Sequence, residues 1–339
     1  MAGLYRPALV SLMLCLAAEA PAAEVVKHRG NAQGSALQAS GQRGDALRPG
    51  EATEDGLQTE NMFGFTLGSD TDEAGARALA LENAARFGKR FGSYGALGQK
   101  LEFGYGVTDD LNVALALLGD YHRVRGVPEL DDVRGRYGFA GIGGEVRWRL
   151  LRRESAPVGL TLHLEPSISR FDETSGQPGR KVGSENRLII DRELVPGTLF
   201  GAVNLIYDLE RFREHRSGEV ERGSNAGAAA ALSFQIAPTV LGGAELRYLR
   251  AYDGLALNRY TGDALLIGPT LFARLPHNSW VSAAWNVQVA GRERIDRAGF
   301  VAAVAAGDLE TAAVIARPRR LNLSQFQRHA LRLKLGIEF

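Results

Sequence analysis

Across its 339 residues the chain has one cysteine, Cys15, and only three methionines and three tryptophans. Cys15 lies in an apolar N-terminal stretch and follows Leu14, not the small residue a lipoprotein signal needs. Without that stretch the chain has no thiol, which excludes disulfides and Cys-based zinc sites. Past the N-terminus no run of about 18 apolar residues occurs, so a helical membrane protein is excluded. Neither sign of charge dominates: 40 Lys and Arg stand against 39 Asp and Glu. A chain so balanced has no strong field for nucleic acid, and no nucleic-acid partner is expected. The mean hydropathy is slightly negative. That value leaves one membrane architecture open, because strands with apolar and polar faces average to neutrality.

What is present begins with a secretory signal over residues 1–23. Arg6 supplies the positive end and residues 8–18 a short apolar core. Small residues from Ala18 to Ala23 then offer cleavage after Ala20 or Ala23. Residues 24–60 are rich in Gly, Ala, Gln, Ser and charge without periodicity, and read as a flexible periplasmic extension. From residue 61 to 339 the chain alternates with period two. Leu101, Phe103, Tyr105 and Val107 alternate with Lys100 and Glu102. Val146, Trp148 and Leu150 alternate with Glu145, Arg147 and Arg149, and Leu331 through Phe339 with Arg332, Lys334 and Glu338. Soluble β-sandwiches alternate too. Segments of 10 or more residues, however, exceed the ordinary strand and suit a tilted bilayer crossing.

Turn-rich connections fall into a short set, as at Thr108-Asp109-Asp110 and Pro196-Gly197. A longer set lies near 123–136, 172–184, 211–223, 252–260 and 291–327. Counting hairpins from residue 78 predicts one antiparallel transmembrane β-barrel of about twelve strands with both ends periplasmic. Met62–Leu67 would break the even count and is assigned to a periplasmic or lumen-associated piece. Ala-rich residues 298–316, stopped at Pro318, read as a short helix in the last external loop.

The alternation ending on Phe339 resembles the C-terminal signature that the barrel-assembly machinery recognises. With the signal and the strand count, the chain is similar to the transporter-like outer-membrane barrels of proteobacteria. The resemblance implies residence in the outer membrane, contact with its lipid and lipopolysaccharide, and passage of a small solute.

Phe339 and Leu335 on the lipid face place the opposite set in the lumen: Glu102, Arg147, Arg149, Glu165, Arg187, Asp191, Glu193, Asp208, Glu245, Arg247, Arg332, Lys334 and Glu338. Such charges either line a water path for a small polar solute or pair across the barrel and fill it. An enzymatic alternative rests on His215 and Ser217, two apart on one strand and so facing the same side. They faintly resemble the His-x-Ser-Asn-Gly element of the twelve-stranded outer-membrane phospholipases, but Gly218 stands where Asn is required. No metal or cofactor is expected, since the six histidines are scattered without ligand spacing. Gly141-Ile142-Gly143-Gly144 lacks the context of a nucleotide loop.

Overall fold

The computed structural model describes residues 58–128, 130–294, 301–302, 304–308 and 320–339. They form twelve strands: β1 (Arg77–Phe87), β2 (Ser93–Thr108), β3 (Leu111–Arg125), β4 (Val133–Leu151), β5 (Gly159–Phe171), β6 (Pro178–Val195), β7 (Leu199–Glu214), β8 (Val220–Ala237), β9 (Val240–Asp253), β10 (Arg259–Leu275), β11 (Ser279–Glu293) and β12 (His329–Glu338). Each pairs antiparallel with its sequence neighbours. β12 returns to β1 in register from Ala78↔Glu338 to Phe87↔His329, which closes the barrel. Closure leaves no edge, so the ladder satisfies the backbone without water.

The outer surface follows from the period of two. Leu335, Leu81, Leu101, Leu117, Ile142 and Ile168 stand side by side on successive strands. Every strand shows exposed apolar side chains: Leu115 is 75 % exposed, and the inward Glu102 beside Leu101 only 8 %. A closed barrel with an apolar belt around its whole circumference belongs in a bilayer, and this protein is an outer-membrane β-barrel.

Strands run from 10 residues in β12 to 19 in β4. At roughly 3.3 Å per residue the longer ones overrun an apolar layer of about 30 Å. This overrun corrects the expected loop lengths. Residues predicted as loop at 133–136, 178–184, 211–214 and 220–223 are strand, so those connections shrink to 126–132, 172–177 and 215–219. Only the connection between β11 and β12 is long. Within it, residues 301–302 and 304–305 are helical; the rest of the expected 298–316 helix, the signal and the extension up to residue 57 lie outside the described residues. Gly141 on β4 marks a close strand approach, where a Cβ would lie 2.0 Å from the Ile168 carbonyl oxygen.

Aromatic side chains divide between the two faces. Tyr137 faces outward at 65 % exposure, but Phe171, Phe212 and Trp280 point inward and are buried.

Candidate functional site

Before β1, residues 59–72 enter the lumen at the short-turn end, which is periplasmic in barrels of this kind. The segment folds on itself: the Thr59 amide donates to Asp70 at 2.7 Å and the Gly68 amide to the Glu60 carbonyl at 3.1 Å. Two glycines make this path possible. Gly64 has φ of 81°, and a Cβ on Gly68 would lie 2.2 Å from the Thr59 carbonyl oxygen.

Wall side chains grip the backbone of this segment. Arg147 donates to the carbonyls of Gly68 and Asp70 at 2.7 and 3.0 Å, Arg187 to Phe65 at 2.9 Å, and Arg332 to Gly64 at 2.7 Å. Thr161 and Ser233 donate to the carbonyls of Ser69 and Met62. Glu245 accepts from the amides of Phe65 and Thr66, Asp191 from the Ser69 amide and hydroxyl, and the Asn204 amide both accepts from and donates to Leu67. Lys334 reaches Asn61 at 2.9 Å, and Arg149 and Arg153 pair with Asp70 at 3.5 and 2.7 Å. An inserted backbone away from bulk water needs such partners, and the strands supply them from nearly all sides.

Apolar packing completes the seat. Met62 and Phe63 are fully buried against Phe200, Leu241, Phe272 and Trp280. Burying two such side chains is worth about 1.5–3 kcal/mol each. The segment is a plug, and the expectation for Met62–Leu67 resolves to its lumen branch.

At the other end, residues 320–328 of the β11–β12 connection fold onto the wall. Asn322 is fully buried and its carbonyl accepts from Gln288 at 2.9 Å. Phe326 packs on Ala264, Leu266 and Ala330, while Lys89 and Arg90 donate to carbonyls of Ser324 and Leu321. Residues 320–328 thus cover one side of this mouth, against β10, β11, β12 and the β1–β2 connection. At this rim Glu173, in the β5–β6 connection, sits between Lys181 and Arg86, whose charges lower its pKa to about 2.

Between the plug and these residues lies a cavity of about 830 Å³. Its wall is densely ionic. Lys100 on β2 sits 2.8 Å from Glu102 and 3.0 Å from Glu165, and Arg332 is 2.6 Å from Glu82. His163 and Glu145 are 3.1 Å apart. With Glu165 they bring ligand atoms within 4.8 Å of one another. Lys100 already reaches Glu165 and lies 3.9 Å from Glu145, so an ammonium supplies positive charge there.

The structure places the predicted lumen residues as follows. Glu102, Glu165, Arg332 and Lys334 belong to the ionic wall. Arg147, Arg149, Arg187, Asp191 and Glu245 hold the plug. Glu193 turns back to the Gly197 amide in the β6–β7 turn, and Glu338 borders a small second space with Trp280 and Lys334. Asp208 and Arg247 line the cavity without an ion-pair partner among the described residues. Alternation also put uncharged residues inward that the charge-based reading passed over: Thr161, Asn204, Ser233, Asn286 and Gln288.

His215 and Ser217 sit in the β7–β8 connection. The Ser217 hydroxyl donates to Glu214 and accepts from the Glu219 amide, while His215 contributes its backbone amide to Pro178. Ser217 is thus engaged as a turn hydroxyl and makes no contact with His215.

The family model described as "Family of unknown function (DUF6662)" matches residues 56–339. The chain belongs to that family. The matched range holds the plug and all twelve strands, so a DUF6662 member is a plugged barrel here. Among solved structures, it is similar to the COG4313 outer membrane channel of Pseudomonas putida F1, at 12% identity and TM-score 0.49 over 80% of this chain and 98% of that one. It is similar to the NanC porin at 9% identity and TM-score 0.41 (76% and 98%). The Pseudomonas putida toluene transporter TodX aligns at 8% identity and TM-score 0.36 (83% and 99%). No curated protein sequence matches the chain significantly.

Proposed function

We propose that the barrel lets small polar solutes diffuse across the outer membrane through a lumen gated by residues 59–72. The observation that carries this reading is the cavity of about 830 Å³ with an ionic wall beside the inserted segment 59–72. A barrel built only for support would fill its interior with side chains, since unpaired charges away from water are costly. This volume lies instead in the range of small-molecule sites, about 300–1,000 Å³. Because both signs of charge line it, size and hydrogen bonding select the solute more than net charge does. The outward ring of Phe339, 65 % exposed, is the feature assembly machinery would read.

The test is swelling of proteoliposomes in sugars and amino acids of graded size. Flux with a cut-off near the dimensions of the cavity supports the proposal. Vesicles that behave like protein-free lipid, both for the full chain and after removal of residues 58–72, would sink it.

A further inference from the structure

Most cations facing the cavity are committed. Lys100, Arg332 and Lys181 pair with carboxylates, and Arg147 and Arg187 hold the plug. Arg247 differs. No carboxylate oxygen lies within 4 Å of it, it donates no hydrogen bond among the described residues, and its buried Nε has no partner. Its guanidinium carbon stands 4.4 Å from the centre of the Phe65 ring, and the side chain lines the cavity. A second polar group is left open on the same wall. Among the described residues Asp208 makes no ion pair and its Oδ1 is buried without a hydrogen bond, the Asn186 backbone being the hydrogen-bonding neighbour of its carboxylate.

The strand register sets the two groups apart. Arg247 on β9 lies opposite Ala229 on β8, which lies opposite Asn204 on β7. Asp208 is four residues beyond Asn204 on the same face. Two strand spacings across and four residues along put the backbones about 16 Å apart, at roughly 4.8 Å per strand and 3.3 Å per residue. The inward reach of an arginine and an aspartate narrows this to the length of a small molecule. The inward positions of β8 between them, Gly227 and Ala229, carry little or no side chain, and the Leu249 side chain beside Gly227 adds an apolar surface to the cavity wall.

We propose that Arg247 and Asp208 form a subsite for small zwitterions of the amino-acid type. The solute's carboxylate takes the guanidinium N–H groups of Arg247, and its ammonium is received by Asp208. Phe65 supplies an apolar wall on the plug side. A charged pair separated by the length of a solute is satisfied by a molecule carrying both charges, and by neither a monovalent ion nor a neutral sugar at both ends. Such a solute replaces water at two buried polar groups at once, which gives it an advantage over polyols of equal size.

This assignment rests on the channel reading, and the experiment separates the two. Calorimetric titration of the detergent-purified full chain uses L-alanine, propionate, propylamine and 1,2-propanediol. Proteoliposome flux is measured in parallel for L-glutamine and arabinose, which are close in size. L-alanine is expected to bind at least ten-fold more tightly than any of the other three. R247Q and D208N should each erase that preference and bring glutamine flux down to that of arabinose, with arabinose flux unchanged. Equal binding of all four probes, or a preference that survives both substitutions, overturns the subsite whether or not solutes pass. Selective alanine binding by the full chain, with no flux of either solute before or after removal of residues 58–72, keeps the subsite and overturns the channel.

Discussion

Glu245 is the wall residue on which the plug leans most directly. Its carboxylate accepts from the Phe65 amide at 3.2 Å and from the Thr66 amide and hydroxyl at 2.9 Å each, and Asn286 braces it at 2.6 Å. Hydrogen bonds to a charged acceptor contribute about 1.5–3 kcal/mol each. Glu245→Ala removes three of them, but water from the adjacent cavity takes up part of the loss. A net weakening of plug docking of about 3 kcal/mol is therefore expected, roughly a 150-fold rise in the released fraction. Glu245→Gln keeps one acceptor oxygen and should fall between. Two assays read the release: the frequency of conducting events in planar bilayers, and the rate at which a Glu-specific protease cuts after Glu60. The barrel ladder is untouched, so thermal unfolding of the barrel should not move. If Glu245→Ala leaves both the event frequency and the cleavage rate within two-fold of wild type, the plug is not held as described.

Other outcomes follow from the same contacts. Phe63→Ala empties a fully buried site and should weaken docking by about 3–5 kcal/mol, read as a red shift of the neighbouring Trp280 emission in a Trp148→Phe, Trp285→Phe background. Asp72, on the plug, is pushed up to about 7 by burial and then by the carboxylates of Glu60 and Glu338. Its folded pKa lies above the unfolded one near 3.8, so its support of the docked plug is complete below about pH 4 and fades as pH rises to about 7. Trp280 emission followed from pH 4 to 8 should show that loss, and Asp72→Asn should flatten it. Lys100→Met removes the nearest cation from Glu102 and Glu165, leaving Glu102 only Lys334 at 3.8 Å, so cation over anion permeability in reversal-potential measurements should rise several-fold.

The barrel was legible because alternation, strand length and closure are all written in the local pattern. Leu101 out and Glu102 in, repeated around twelve strands, decides both faces at once. The plug was harder to read for a physical reason. Its backbone is gripped by side chains 77 to 268 residues away in sequence, and such contacts leave no local period. One trace does exist. Leu199-Phe200, Leu271-Phe272 and Trp280-Val281 are apolar on both faces, which a strand between lipid and water would not be. Phe200, Phe272 and Trp280 are the inward members, and they seat Met62 and Phe63. Loop lengths were overestimated because charged, turn-like residues such as Arg211 and Glu221 occupy strand ends that rise past the bilayer. The charge inventory named the lumen wall but not its division of labour, since pairing partners are set by register across strands and not by order along one.

The most direct measurement of gating by residues 59–72 is planar-bilayer conductance of the full chain beside a variant lacking residues 58–72. The expected result is rare, brief events for the full chain and a steady ohmic conductance for the shortened one, with both folded as heat-modifiable barrels. A shortened barrel that is folded and still does not conduct would contradict it.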